Sequence, residues 1–247
     1  MKLFIKKILQ KLLGYHNYLY VFAIYIILTL KWNKKEKDFL YFLKLLPKKG
    51  IILDIGANIG VMSVYLSKKL PESKIFAFEP VPTNIKVLKK IIKYYKLPNV
   101  KIFEFALGNY DGETEMILPI ISNVKMQGLS YVKQENNYYP NDNGGIKYTV
   151  PIKRLDSLEE LINVKLPITG IKIDVENFEY FVLLGGKELI QKHHPVIYAE
   201  LWNNKNKDNS LALLQELGYK AKVLINKKLK NYNKDIDKTQ NFFFIPE

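Results

Sequence analysis

One short segment constrains the fold of this chain more than any other: an apolar run that breaks into a glycine turn. Residues 51–55 read Ile-Ile-Leu-Asp-Ile and are followed by Gly56-Ala57-Asn58-Ile59-Gly60. The apolar run is typical of a buried parallel strand, and the turn predicts a helix over residues 60–69. Such a turn presents backbone N–H groups and a helix N-terminus to a ligand. The segment therefore predicts the first strand, turn and helix of a nucleotide-binding α/β domain.

A second apolar strand, residues 74–79, ends in an acid that indicates which ligand binds. Glu79 can accept hydrogen bonds from both hydroxyls of an unphosphorylated ribose and would repel the 2′-phosphate of NADP. Asn58 stands where the dinucleotide fingerprint has a glycine that lets the backbone approach a pyrophosphate. S-adenosylmethionine has no phosphate, and its ammonium and sulfonium suit a carboxylate and turn carbonyls. We therefore expect S-adenosylmethionine rather than NAD, contacted by Asp54, Gly56, Ala57, Asn58, Gly60, Glu79 and Pro80.

Six motifs follow one another from about Lys44 to the C-terminus. They are Asp54-Ile55-Gly56-Ala57-Asn58-Ile59-Gly60, Phe78-Glu79-Pro80, Ala106-Leu107-Gly108, Leu155-Asp156-Ser157-Leu158, Ile171-Lys172-Ile173-Asp174-Val175-Glu176 and Glu200. Their order and spacing resemble the FkbM-type methyltransferase family. The resemblance implies a Rossmann-like class I methyltransferase fold and O-methylation of a sugar, a glycan or a related small-molecule hydroxyl. The family has glycine after Asp-Val-Glu, where this chain has Asn177, which also tolerates a left-handed backbone.

Helix and strand alternate along the chain at the pace of a doubly wound, mostly parallel sheet. Seven strands are expected near residues 51–55, 74–79, 100–105, 168–174, 196–201, 220–224 and 241–245, and helices near 60–69, 83–95, 155–162, 179–191 and 209–217. Residues 109–153 interrupt the pattern with turn sequences, including residues 140–145, and predict an inserted β-hairpin with a long polar loop. We expect a helical N-terminal extension over residues 1–46 and a methyltransferase domain over residues 47–247 that contains the insertion.

Carboxylates at predicted strand ends are the candidates for catalysis, because ligands of open α/β sheets bind there. Methyl transfer to a hydroxyl requires alignment of donor and acceptor and removal of a proton. Asp174 is the first candidate base, followed by Glu200 and Glu176. Hydrogen bonding of Asp174 to the cofactor or substrate is an equally open interpretation. A divalent metal held by the three carboxylates is another, although the sequence shows no ligand geometry and assigns no metal site.

Three further motifs have an open role. Ala106 and Leu107 end the third strand beside the expected adenine pocket, where small or apolar side chains fit a flat ring. Asp156 is predicted to cap the helix that begins in its own motif. Ser130 and Tyr131 lie in the insertion and either contact the acceptor or are solvated.

The net charge of +14 raises the question of a nucleic-acid partner. The basic excess is almost wholly lysine, scattered along the chain, and Arg154 is the only arginine that could supply a bidentate fork. We therefore expect no nucleic-acid partner. A nucleic-acid methyltransferase and a non-catalytic binding or membrane-scaffold protein remain the alternatives. The absence of cysteine excludes disulfides, thiolate metal sites and cysteine nucleophiles.

The N-terminal 30 residues are amphipathic and then apolar. Apolar residues recur at helical spacing from Met1 to Leu13, with lysines on the other side. Tyr18 to Leu30 is uncharged but shorter than the roughly 20 residues that a transmembrane helix needs. We expect a cytoplasmic protein whose second helix is interfacial or packs on the domain. Peripheral membrane contact through residues 1–30 is an open alternative, and the sequence does not indicate an oligomeric state.

Overall fold

The structure is a computed structural model that describes residues 2–134 and 145–247. The strands are β1 (Ile51–Ile55), β2 (Lys74–Phe78), β3 (Val100–Phe103), β4 (Ala106–Leu107), β5 (Gly112–Ile121), β6 (Val124–Lys125), β7 (Tyr131–Val132), β8 (Gly145–Lys153), β9 (Ile168–Ile173), β10 (Val196–Glu200), β11 (Tyr219–Ile225), β12 (Lys228–Asn231) and β13 (Asn241–Pro246). The helices are α1 (Lys2–Leu13), α2 (Tyr15–Thr29), α3 (Lys37–Leu45), α4 (Val61–Lys69), α5 (Pro82–Tyr94), α6 (Glu159–Ile162), α7 (Glu179–Leu184), α8 (Lys187–His193) and α9 (Lys205–Glu216).

The main sheet has the strand order β12-β11-β13-β10-β9-β1-β2-β3. Strands β1, β2, β3, β9 and β10 are parallel, and β13 runs antiparallel between β10 and β11. The predicted doubly wound, mostly parallel sheet is confirmed, with its switch point between β1 and β9, where an open sheet binds its ligand.

The predicted strand count was one too low. The eighth strand, β12, pairs antiparallel with β11 across Asn226 and Lys227, whose φ angles are 51° and 63°. Two successive positive φ values are typical of a type I′ hairpin turn, which usually has glycine in one of the two positions. The turn lacks that glycine, so the sequence pattern did not reveal it.

Alternate side chains of the central strand β1 point into different cores. Ile51, Leu53 and Ile55 pack in the larger core with the insertion and α8, whereas Ile52 packs on the other face with α3. The second N-terminal helix, α2, buries one face against α4 and α5. This is the core-packed arrangement, one of the two expected for that segment.

The insertion is larger than a simple hairpin. Strands β5 and β8 form the predicted antiparallel pair, from Gly112 opposite Ile152 to Pro119 opposite Gly145. Strand β4 adds to β8 in parallel, and the short strands β6 and β7 add to β5. Residues 140–144 of the predicted polar loop lie outside the described residues.

The helices predicted over residues 179–191 and 155–162 differ from those in the structure: the first is divided in two, and the second lacks its predicted cap. The helix expected over residues 179–191 is divided into α7 and α8 at Gly185 and Gly186. The backbone of Gly185 lies against that of Gly108, so a Cβ on Gly185 would be 1.9 Å from the Gly108 carbonyl oxygen. The carboxylate of Asp156 accepts hydrogen bonds from the backbone N–H groups of Glu188 and Leu189, at 3.1 and 2.9 Å. Asp156 therefore caps α8, and the prediction that it caps its own helix was wrong.

Candidate active site

A cavity lies at the carboxyl ends of β1, β2 and β9, and the insertion contributes part of its wall. It is lined by Ile55, Gly56, Asn58, Phe78, Glu79, Pro80, Val81, Asn84, Phe105, Ala106, Leu107, Met116, Gln127, Gly128, Ser130, Val132, Asp174, Val175, Glu176 and Phe178. Six of the predicted cofactor contacts are among these residues, namely Gly56, Asn58, Glu79, Pro80, Ala106 and Leu107. The cavity therefore brings these six residues together.

The turn after β1 forms the floor of the cavity, and only glycine fits its first position. Gly56 has a φ of 75°, and a Cβ there would lie 1.8 Å from the carbonyl oxygen of Asp174. The backbones of β1 and β9 therefore approach closely beneath the cavity. Asn58 has a φ of 51°, the left-handed conformation that asparagine tolerates.

Glu79 joins this turn to the segment that follows β2. Its Oε2 accepts a hydrogen bond from the Asn58 backbone N–H at 2.8 Å. Its Oε1 accepts from the Val81 N–H at 2.9 Å and from the Asn84 side-chain amide at 3.1 Å. Burial raises the pKa of Glu79 to about 7, although these hydrogen bonds and the charge of Lys172 act to lower it. Oε1 already accepts two hydrogen bonds and Oε2 accepts one, so the second lone pair of Oε2 remains to accept from a ligand.

Three predicted cofactor contacts, Asp54, Ala57 and Gly60, are not among the residues that line the cavity. Asp54 is fully buried, and its Oδ2 accepts from the Ser63 hydroxyl at 2.5 Å. Ala57 packs against Ala77 and Leu88 in a small core. Gly60 precedes α4 with a φ of 87°, and a Cβ there would lie 2.7 Å from Leu88 Cδ1. The structure thus places these residues beneath the cavity, where they shape the turn.

Lys172, near the end of β9, is a buried cation that was not predicted as a site residue. Its Nζ lies 3.5 Å from Asp54 Oδ1 and 3.7 Å from Asp174 Oδ2, and it donates to the carbonyl oxygen of Gly56 at 2.9 Å. Burial acts to lower the pKa of Lys172, but the charges of Asp174, Asp54 and Glu79 outweigh it, and the pKa is raised. A lysine within the apolar run of a buried strand was the available signal, because such a charge needs a partner.

The loop after β9 carries two of the predicted catalytic carboxylates into the cavity wall. Asp174 follows the strand directly, with its side chain 41% exposed. Glu176 also lines the cavity, and burial together with the carboxylates of Asp174, Glu200 and Glu179 raises its pKa to about 9. Glu200 ends β10 without lining the cavity, and burial, with the charge of Asp174, raises its pKa to about 7.

This loop has a strained backbone, which two neighbours stabilise. Glu176 and Asn177 have φ angles of 52° and 71°, and each residue in such a conformation costs about 1–3 kcal/mol. Glu179 Oε1 accepts from the N–H groups of Val175 and Asn177, at 3.1 and 3.3 Å. The Asn177 side-chain oxygen accepts from Asn204 at 2.7 Å. Burial raises the pKa of Glu179 to about 8. Glu179 was not predicted as a site residue. The one feature of the sequence that could have indicated it is an acid in the first turn of a helix.

The insertion supplies the remaining wall. Met116, Gln127, Ser130 and Val132 line the cavity from β5, the turn after β6, and β7. The hydroxyl of Ser130 donates to the carbonyl oxygen of Gln127 at 3.1 Å. Tyr131 is buried with Ile117 and is not among the lining residues. The cavity is therefore bounded by the sheet edge on one side and by a mixed polar and apolar wall on the other.

The metal alternative has no geometric support in the structure. Across residues 2–134 and 145–247, no three or more side chains of His, Cys, Asp or Glu group so that they could hold a metal ion. Asp174, Glu176 and Glu200 lie at the same end of the sheet without forming such a group.

Comparison with known proteins agrees with the fold. The family model of the methyltransferase FkbM domain matches residues 54–221, which begin at the end of β1 and include β2, β9 and β10. The chain belongs to the FkbM methyltransferase family. The resemblance carried by the six sequence motifs is thereby confirmed.

Relatives in this family come from fungi and bacteria. Methyltransferase sdnD of Sordaria araneosa is 30% identical over 206 residues, which cover 74% of this chain and 78% of that protein. Methyltransferase 1 of Beauveria bassiana is 29% identical over 150 residues, which cover 56% of this chain and 59% of that protein. The crystal structure of an FkbM methyltransferase from Methylobacillus flagellatus KT superposes with a TM-score of 0.52 at 14% identity, covering 80% of this chain and 43% of that one. This last likeness shows a shared fold.

Of the helices in the described parts of the chain, none has both the length and the apolar character to cross a bilayer.

Proposed function

We propose that this FkbM-family protein transfers a methyl group from S-adenosylmethionine to a hydroxyl of a sugar, a glycan or a related small molecule. The activity is assigned to residues 47–247, with residues 1–46 as an N-terminal extension. The observation that carries the proposal is one cavity at the switch point, in which Glu79 and Asp174 share a wall lined by a glycine turn. This combination offers a ribose acceptor and a base at the ends of β2 and β9, the strands on either side of β1.

The residues of the cavity fit S-adenosylmethionine. Glu79 Oε2 would accept from a ribose hydroxyl, and Phe105, Ala106 and Leu107 would contact the adenine ring. The side-chain oxygens of Asn58 and Asn84 are buried without a hydrogen-bond partner in the structure. Unpaired buried oxygens are costly, and donors of a ligand would satisfy them. No phosphate-binding lysine or arginine lines the cavity among the described residues, which favours a cofactor without phosphates.

When bound, S-adenosylmethionine supplies an electrophilic methyl group on a sulfonium. Asp174 would accept the proton of the acceptor hydroxyl at a carboxylate oxygen while the new carbon–oxygen bond forms and the carbon–sulfur bond breaks. The ammonium of Lys172 lies 3.7 Å from Asp174 Oδ2 and so orients this carboxylate. The products are a methyl ether and S-adenosylhomocysteine, and the proton leaves Asp174 to solvent.

Asp174 is favoured over the other two carboxylates for this role. With a pKa raised to about 9, Glu176 is mostly protonated at neutral pH and would act as a hydrogen-bond donor to the acceptor. Glu200 has a suitable pKa of about 7 but does not line the cavity. A proton acceptor must lie within hydrogen-bond reach of the substrate, and Asp174 meets this condition best.

Transfer of labelled methyl groups tests the proposal. The protein is incubated with S-adenosylmethionine carrying an isotopic methyl label and with an extract divided into carbohydrate, lipid and RNA fractions. We expect label in the carbohydrate or lipid fraction, as an ether that resists mild base. Label confined to RNA would replace the proposed acceptor class with nucleic acid. A protein that binds neither S-adenosylmethionine nor S-adenosylhomocysteine in calorimetry would contradict the proposed activity itself.

A further inference from the structure

The first helix presents its apolar side outward, which is the reverse of a soluble amphipathic helix. Phe4, Ile5, Ile8 and Leu12 are 67%, 50%, 41% and 75% exposed. With about 3.6 residues per turn, these four side chains form one stripe along α1. We call them the α1 stripe. A solvent-facing helix normally directs such residues toward the core, so the stripe is a surface that fits an apolar partner.

Polar residues hold the opposite side of α1 against the protein. The Gln10 side-chain amide donates to the carbonyl oxygen of Lys125 at 3.0 Å, and its oxygen accepts from the Lys125 N–H at 3.1 Å. The Lys6 ammonium lies 5.7 Å from the centre of the Phe22 ring. These contacts fix the orientation of α1 and keep the α1 stripe turned away from the core.

Lysines border the α1 stripe. Lys7 and Lys11 are exposed and one turn apart, so they lie along one edge of the stripe. A second stripe of Val21, Tyr25, Leu28 and Trp32, 53–71% exposed, follows on α2 and the turn after it. Within the described residues, eleven of the seventeen exposed large apolar side chains belong to residues 3–32. The exposed apolar surface is thus concentrated in this part of the chain.

We propose that α1 is a membrane-docking helix, which inserts the α1 stripe among the lipids of an anionic bilayer while Lys7 and Lys11 contact the headgroups. Apolar side chains beside lysines are typical of helices that lie in the membrane interface. The net charge of +14 also complements an anionic surface better than it complements a second copy of this basic chain. The occupant of the stripe is therefore the bilayer.

Docking would bring the cavity to the membrane. Through Gln10, α1 is joined to Lys125 in β6, and the turn after β6 contributes Gln127 to the cavity wall. A protein docked through α1 therefore holds this wall near the bilayer surface. This favours an acceptor hydroxyl carried on a lipid, a consequence that rests on the proposed function, whereas the docking itself does not.

Co-sedimentation with vesicles tests the docking. Vesicles of phosphatidylglycerol and phosphatidylcholine in equal parts are compared with vesicles of phosphatidylcholine alone. We expect the full chain to sediment with the anionic vesicles at low salt and to be released at high salt. The double variant Phe4→Asp/Leu12→Asp should remain in the supernatant, and Lys7→Ala/Lys11→Ala should bind roughly thirtyfold more weakly, since each lysine near the surface contributes about 1 kcal/mol.

The variant Ile236→Asp is the matched control, because it replaces an apolar side chain that is 73% exposed in another part of the chain. It should sediment like the wild type. Circular dichroism confirms that each variant is folded.

Equal recovery in the supernatant with both vesicle types, or wild-type sedimentation of Phe4→Asp/Leu12→Asp, would overturn docking. Docking would also be overturned if the wild type did not bind vesicles and instead formed a dimer that the substitutions Phe4→Asp/Leu12→Asp disrupt. Loss of S-adenosylhomocysteine binding alone would contradict the proposed function and leave docking intact.

Discussion

At the scale of single residues, Glu79 has two roles. It stabilises the apo turn through hydrogen bonds from Asn58, Val81 and Asn84, and it is the proposed ribose acceptor. Its carboxylate is buried, so ionisation near neutral pH is balanced between the cost of burial and these hydrogen bonds. A ligand that donates a further hydrogen bond to Oε2 favours the ionised form.

The first prediction follows from this balance. Glu79→Gln should lower the affinity for S-adenosylhomocysteine at least tenfold, because a hydrogen bond to a charged group contributes about 1.5–3 kcal/mol. Wild-type affinity should also fall as the pH drops below about 7, where Glu79 becomes protonated. Calorimetry at several pH values measures both effects. Glu72→Gln, an exposed substitution outside the cavity, should behave as wild type. Unchanged affinity in a folded Glu79→Gln protein would refute the ribose role.

The second prediction concerns Asp174. Asp174→Asn keeps the size of the side chain and an oxygen toward Lys172 but removes the basic oxygen. We expect the initial rate of methyl-label transfer to fall roughly 100- to 10,000-fold at saturating cofactor, the usual contribution of a general base. Affinity for S-adenosylhomocysteine should change little. A normal rate would show that Asp174 is not the base. If a chelator abolishes wild-type activity and a divalent ion restores it, a metal has the role instead.

Residues with local conformational requirements could be predicted from the sequence, and residues with distant partners could not. The left-handed backbone at Asn58 and Asn177 follows from the residue type alone. The position of Asp54 depends on Ser63 and on Lys172, which lies on another strand. A sequence motif identifies such a carboxylate without showing which way it points. That is why Asp54 was expected in the cavity and lies beneath it.

At the level of elements, strand ends were predictable because an apolar run followed by an acid marks the edge of a buried sheet. Helix ends that depend on tertiary contacts were not. The helix is interrupted at Gly185, where the backbone of Gly108 approaches from the end of β4 too closely for a side chain. The cap of α8 comes from Asp156, 32 residues before Glu188. Neither partner lies within the window that a local pattern covers.

The third prediction tests that close approach. In Gly185→Ala the new Cβ would meet the Gly108 carbonyl oxygen at 1.9 Å, and a backbone atom cannot move aside as a side chain end can. We expect a loss of more than about 2 kcal/mol in the free energy of unfolding, as is typical of overpacking in a core. Gly128→Ala is the matched control, since nothing lies within 4 Å of its added Cβ. Denaturant titration measures both, and equal stability of the two variants would contradict this account.

At the scale of the whole molecule, buried acids contrast with a basic surface. Glu79, Glu176, Glu179 and Glu200 all have raised pKa values, between about 7 and about 9, and burial is the main cause for each. Glu79 and Glu176 line the cavity, Glu179 bonds to the loop after β9 and Glu200 ends β10, whereas the net charge of the chain is +14. The protein therefore keeps protons at its ligand-binding end that its unfolded chain would release.

The last prediction concerns the pH dependence of stability. In the unfolded chain these carboxyls lose their protons near pH 4.5, whereas in the folded protein they keep them up to about pH 7–9. Between these pH values the folded state therefore binds more protons than the unfolded state. Stability falls with rising pH wherever the folded state binds more protons. The free energy of unfolding should therefore decline across this window. Denaturant titrations are best made at high salt, which screens repulsion among the surface lysines.

Glu179→Gln provides the control for this trend. The amide oxygen still accepts from Val175 and Asn177, but the group no longer titrates. Its pKa of about 8 is raised, so the proton that stabilises the wild type is lost as the pH rises toward that value. The variant should lose less stability than the wild type between about pH 4.5 and 8. Identical slopes in both proteins would show that Glu179 is ionised throughout, and stability that rises over the window would contradict the protonated cluster as a whole.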